Sequence, residues 1–176
     1  MPNHVKNVLK FKKLKPDDIR FILDTICSPF EDDTGGMSLR IDFDKIIPEP
    51  KEESECPDDF KVNKDSHISP DVDRPWFDWY RWHLHYWDTK WNAYDCYSIT
   101  GKSYITFVFH TAWSTSIPII EKLPLLGYEF EIKYADEDYG SNCGILTWTS
   151  EQGLNHQEAH DLKNPEQWAR NLWAKY

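Results

Sequence analysis

The chain has 176 residues, with 30 Asp and Glu against 20 Lys and Arg, and its formal charge of −10 disfavours a generic phosphate-backbone binder, which would gather Lys and Arg. Hydrophobic residues at 40% and nine each of Trp, Tyr and Phe exclude a disordered chain and suit one well-buried domain over 1–176. No charged-then-apolar leader opens it and no apolar run approaches the roughly 20 residues that span a bilayer, so a cytoplasmic protein without a membrane segment is expected.

The opening reads as a strand: Val5, Asn7, Leu9 and Phe11 alternate with His4, Lys6, Val8, Lys10 and Lys12, one face apolar and the other mostly basic. Pro16, Asp17 and Asp18 announce a helix whose stripe is Ile19, Ile22, Leu23 and Ile26. Gly35 and Gly36 then punctuate a turn before a second strand with Leu39, Ile41 and Phe43. Residues 49–75 are rich in acids, Glu49, Glu52, Glu53, Glu55, Asp58, Asp59, Asp65, Asp71 and Asp73 among them, and read as an acidic surface insertion.

From Pro75 to Trp87 the spacing of Trp76, Tyr80, Leu84 and Trp87 predicts an aromatic helix with those four on one face. A third strand, Tyr104 to Thr111, is apolar at nearly every position, as a strand covered on both faces should be. Ser116 and Pro118 start a second helix that Pro124 shortens and Gly127 closes. Tyr128, Phe130, Ile132 and Tyr134 form a fourth strand, Gly144 to Trp148 a further one, and Pro165 to Trp173 a closing helix. Strand, helix, strand, insertion, strand, helix, strand closes most simply as an α+β ferredoxin-like split βαβ sandwich. Its sheet is mainly antiparallel with helices on one face, plus the inserted aromatic helix and the C-terminal helix.

Candidate chemistry is sparse. The four cysteines, Cys27, Cys56, Cys96 and Cys143, lie far apart without a CxxC and read as buried free thiols of a reducing compartment. His156 and His160 would share a helical face, but Glu158 is misplaced for a zinc-protease motif and no metal is expected. Gly101-Lys102-Ser103 resembles the end of a phosphate loop, yet Cys96 stands where its first glycine belongs and a strand follows. His83, His85 and His110 have no nucleophile placed by spacing, so no catalytic residue and no cofactor are assigned. Lys6, Lys10 and Lys12 would share an open sheet face with Tyr104 and His110, a candidate nucleic-acid surface that the net charge opposes.

Three stretches carry a family likeness: Ile41-Asp42-Phe43-Asp44-Lys45-Ile46-Ile47-Pro48-Glu49-Pro50, Trp87-Asp88-Thr89-Lys90-Trp91-Asn92-Ala93-Tyr94, and Phe109-His110-Thr111-Ala112-Trp113-Ser114 running into Ile117-Pro118-Ile119-Ile120. In order and approximate spacing they resemble the YubB-like family of plasmid and phage proteins, described as carrying a ferredoxin-like domain. The acidic stretch after Lys51 and Asp88, where glycine is expected, depart from its pattern. The resemblance implies a mobile-element origin inside a bacterial host, and neither substrate nor catalytic residue.

The leading expectation is a non-enzymatic interaction protein that binds a host or element-encoded protein through the acidic insertion or an exposed aromatic surface, and so modulates host defence. Trp87, Thr89, Lys90, Trp91, Asn92 and Trp113 are the residues placed at that surface, or at a pocket if the chain binds a small ligand or is an enzyme. The remaining alternative is the nucleic-acid binder.

Overall fold

A computed structural model describes residues 3–31, 35–63, 66 and 71–176. The expected period-two strand is β1 (His4–Phe11), followed by α1 (Pro16–Ile26), β2 (Cys27–Glu31), β3 (Met37–Ile41), α2 (Phe43–Ile46), α3 (Trp79–Tyr86), β4 (Tyr94–Thr100) and β5 (Ile105–Ala112). The rest comprises α4 (Ile117–Ile120), β6 (Phe130–Asp136), β7 (Cys143–Thr149), β8 (Gly153–Glu158) and α5 (Pro165–Lys175).

Six strands form one antiparallel sheet in the order β4-β5-β1-β6-β7-β8. β1 lies between β5 and β6, with Val8 opposite Val108 on one side and Lys133 on the other. Both strand–helix–strand units, β1 to β4 through α1 and β5 to β6 through α4, therefore have one strand inserted between their ends. That is the ferredoxin-like split βαβ sandwich, extended by the β7–β8 hairpin.

The strand beside β5 is β4, and not the segment containing Leu39 and Ile41; that segment pairs with β2 in a separate two-stranded sheet. Phe43, expected on the strand, starts α2, because the Asp42 side chain accepts from Asp44 N–H and caps a helical turn there.

One face of the sheet carries the main core. Leu9, Phe11, Phe107 and Phe109 pack against Ile22 and Ile26 of α1 and Ile119 and Ile120 of α4. Each such side chain contributes about 1.5–3 kcal/mol by leaving water. Pro16 in the first turn and Asp18, whose carboxylate accepts from Lys15 N–H at 2.6 Å, fix the start of α1 and so the phase of its isoleucine stripe. Gly127 at φ 80° ends the short helical stretch after α4.

α5 lies on the opposite face, where Ala169 and Leu172 pack with Val8, Val108, Ala135 and Cys143. It is anchored by Trp173 Nε1, which donates to the Ala135 carbonyl at 2.9 Å. The face left open in the sequence reading is thus partly roofed.

A third cluster, Cys56, Phe60, Phe77 and Trp82, joins the acidic segment to α3, and Tyr86 packs against both it and the main core. Glu52, Glu53, Glu55, Asp58 and Asp59 of that segment face solvent, whereas Lys64 and Asp65 lie outside the described residues. Among the described residues no helix is long and apolar enough to cross a membrane.

Candidate functional site

α3 is capped by Asp78, whose side chain accepts from Arg81 N–H at 3.1 Å. This cap sets the helix phase, and the buried positions become Trp82 and His83, while Leu84 is exposed and Trp76 precedes the helix. The expected stripe of Trp76, Tyr80, Leu84 and Trp87 is therefore split: Trp87 is buried, and Tyr80 points toward Trp113 with ring centroids 6.3 Å apart.

Behind α3 sits an ionic knot that spacing did not reveal. Glu49 meets His83 Nε2 with one carboxylate oxygen and Arg74 at 2.6 Å with the other, and Arg74 also holds Asp71 at 3.0 Å. Burial alone would push the Glu49 carboxyl up, but the hydrogen bonds from His83 and Arg74 outweigh it and hold it below the ordinary carboxylate value. His83 Nδ1 donates to the Lys90 carbonyl at 2.7 Å, and the ring stacks on Trp87 at 4.0 Å. Both ring nitrogens are committed, so this imidazole is a strut and has no free nitrogen with which to take a substrate proton.

Residues 87–93 run from α3 to β4, and nearly every polar group there is tied down. Trp87 Nε1 donates to the Ile47 carbonyl at 3.0 Å. The Thr89 hydroxyl donates to Ala112 O at 2.8 Å and accepts from Ala112 N at 3.0 Å. Asn92 Oδ1 accepts from Phe43 N at 2.9 Å, and its Nδ2 donates to Asp42 at 2.7 Å. The carboxyl of Asp42, though burial opposes it, is kept low by hydrogen bonds from Ser28, Asn92 and Asp44 N–H. From the β5–α4 turn, Ser114 and Ser116 donate to the carbonyls of Asp88 and Trp87. Trp87, Thr89 and Asn92 thus form a frame.

What the frame presents to solvent is aromatic. Trp91 is 37% and Trp113 39% exposed. The Lys90 ammonium lies 4.8 Å from the Trp91 ring centroid, 5.8 Å from that of Trp113 and 5.9 Å from that of Tyr80. Trp113 sits at φ 74° and Asp88 at φ 55°, left-handed backbone that favours glycine. Asn142 Nδ2 donates to the Trp113 carbonyl at 2.8 Å and Trp113 N–H to Asn3 O at 2.9 Å, which holds the strained residue in place. The structure therefore brings together Lys90, Trp91 and Trp113 and adds Tyr80.

The basic residues placed on an open sheet face are not gathered into one surface. Lys6 is 7% exposed beneath α5, donating to the Trp173 carbonyl at 3.3 Å, and burial lowers its pKa. His110 stacks on Trp173 at 5.3 Å and pairs with Asp95 at 3.0 Å; burial, outweighing Asp95, lowers its pKa. Lys12 pairs with Glu131 at 3.4 Å, and Lys10 lies over Tyr104 at 4.3 Å, beyond the roof of α5. The amphipathic pattern of α5 was the available signal that this face would be covered.

His156 and His160 are not on a helix: β8 carries the first, hydrogen-bonded to the Tyr134 hydroxyl at 2.9 Å, and a 3-10 turn the second. Among the described residues no group of three or more His, Cys, Asp or Glu could hold a metal ion.

No curated protein and no solved structure matches the chain. Residues 86–168, which run from the end of α3 into α5 and include Lys90, Trp91 and Trp113, match the family model described as ferredoxin-like domain in Api92-like protein, and with the strand order they identify the domain in this chain as ferredoxin-like.

Proposed function

We propose that the chain is a non-enzymatic interaction protein that docks a host or element-encoded protein on the surface formed by Tyr80, Lys90, Trp91 and Trp113. The carrying observation is that two tryptophans stay more than a third exposed on a frame tied by the hydrogen bonds of Trp87, Thr89 and Asn92, one of them in left-handed backbone. Exposed, rigid indoles supply large contact area with little ordering cost, and Trp dominates binding energy at protein interfaces. The exposed acids Glu52, Glu53, Glu55, Asp58 and Asp59 add a field that attracts a basic partner from a distance. The sheet face offers less to a phosphate backbone, since Lys6 and His110 are engaged by α5 and Lys12 by Glu131.

The test is quantitative capture from native host extract with the wild-type chain and with Trp91→Ala/Trp113→Ala. Proteins retained by the wild type and lost from the double variant support the reading. Equal retention by both, with the variant folded by circular dichroism, overturns it.

A further inference from the structure

Resting on that docking surface, we propose that Tyr80, Trp91 and Trp113 form a cation-accepting aromatic cage which the chain fills with its own Lys90, and that the incoming ligand is a quaternary ammonium or basic side chain that takes Lys90's place.

The faces of aromatic rings attract cations through their quadrupoles within about 6 Å of the centroid, and tryptophan does so most strongly. All three rings meet that limit around one ammonium, at 4.8, 5.8 and 5.9 Å. Two of the walls brace each other, with the Tyr80 and Trp113 planes at 85°. Among the described residues no carboxylate forms an ion pair with Lys90, so the rings are its counter-group.

The Lys90 backbone is pinned by His83 Nδ1 on its carbonyl, whereas the four-carbon stem is flexible and only partly buried. The side chain can therefore swing out without disturbing the frame that holds Trp91 and Trp113. A lysine occupying its own cage shows which chemistry the cage accepts and also weakens it, since a second cation must displace the first. The net charge of −10 favours a cationic entrant at long range.

Tetramethylammonium is the probe, and 3,3-dimethylbutanol is the neutral control of similar shape; binding is read from the indole N–H signals of Trp91 and Trp113 in NMR titrations. Lys90→Ala should bind tetramethylammonium about tenfold more tightly than the wild type, the factor corresponding to one strong cation–π contact. Lys90→Gln, which keeps most of the stem but not the charge, should shift the same way, and Lys90→Ala/Trp113→Ala should lose the gain. The proposal is overturned if emptying the cage leaves the affinity unchanged, if the neutral control binds equally well, or if the double variant still binds. Those results leave protein docking on Trp91 and Trp113 standing, because that reading is decided separately by the capture experiment on the tryptophan variants.

Discussion

Replacing Thr89 by Val removes one oxygen at almost constant volume and should cost far more than a surface change. β4 starts at Tyr94, opposite His110, so the outward N–H and C=O of Ala112 at the end of β5 are satisfied by the Thr89 hydroxyl. Thr89 and Ala112 are both fully buried, so water does not replace that hydroxyl. A buried polar group left unpaired costs about 1–3 kcal/mol, and two such groups less a partial relaxation give about 2–4 kcal/mol. Urea unfolding followed by tryptophan fluorescence should show a lower midpoint at unchanged slope. Thr89→Ser, which keeps the hydroxyl and loses a methyl, should cost only about 1 kcal/mol. A loss below about 0.5 kcal/mol for Thr89→Val would refute the claim that this hydroxyl alone completes the ladder.

Glu49→Gln should destabilise by ~1.5–3 kcal/mol, the range for a hydrogen bond to a charged group, measured by the same titration. Because the folded-state pKa of Glu49 is depressed, the unfolded chain takes up its proton first as pH falls. The stabilisation is full above the ordinary carboxylate value and is lost as pH drops through the lowered one, so Glu49→Gln should flatten the acid limb of the stability profile. Gly144→Ala would set a Cβ 2.5 Å from the Gln157 carbonyl and 2.7 Å from the Tyr134 hydroxyl; a loss of about 1–3 kcal/mol with faster amide exchange in β8 is expected. The thiols of Cys27 and Cys96 are pushed up to about 12 by burial, and Cys56 and Cys143 are buried and raised too. A thiol reagent at pH 8 should react very slowly with the native chain and count all four cysteines once denaturant is added.

The split between what periodicity revealed and what it hid follows burial. α1, β6 and α5 each bury a helical or alternating stripe, β1 and β5 are buried at nearly every position, β7 buries its first half, and all were legible as apolar segments. β8 buries none of its six residues and β4 none of its seven, Tyr94 and Cys96 being only half-buried, so neither carries a buried apolar alternation to detect. Propensity at Leu39 and Ile41 marks a strand, but strand partners depend on tertiary context, and β2 is the partner here. In α3 nearly every side chain is aromatic or His, so several stripes fit equally and only the Asp78 cap distinguishes them. At the site, Trp87 to Asn92 and Trp113 could be singled out, whereas Tyr80, Glu49 and Arg74 required the chain to be folded.

Cys56 and Phe60 supply half of the small hydrophobic cluster that seats Phe77 and Trp82, so the acid-rich segment is not an appendage that can be trimmed cleanly. Excising it would strip the underside of the aromatic helix. Since Tyr86 touches both clusters, the damage would travel to the adjacent Trp87 anchor and scramble the indole platform. Reversing individual surface charges at Glu53 or Asp59 would probe the electrostatic contribution while leaving that keystone in place.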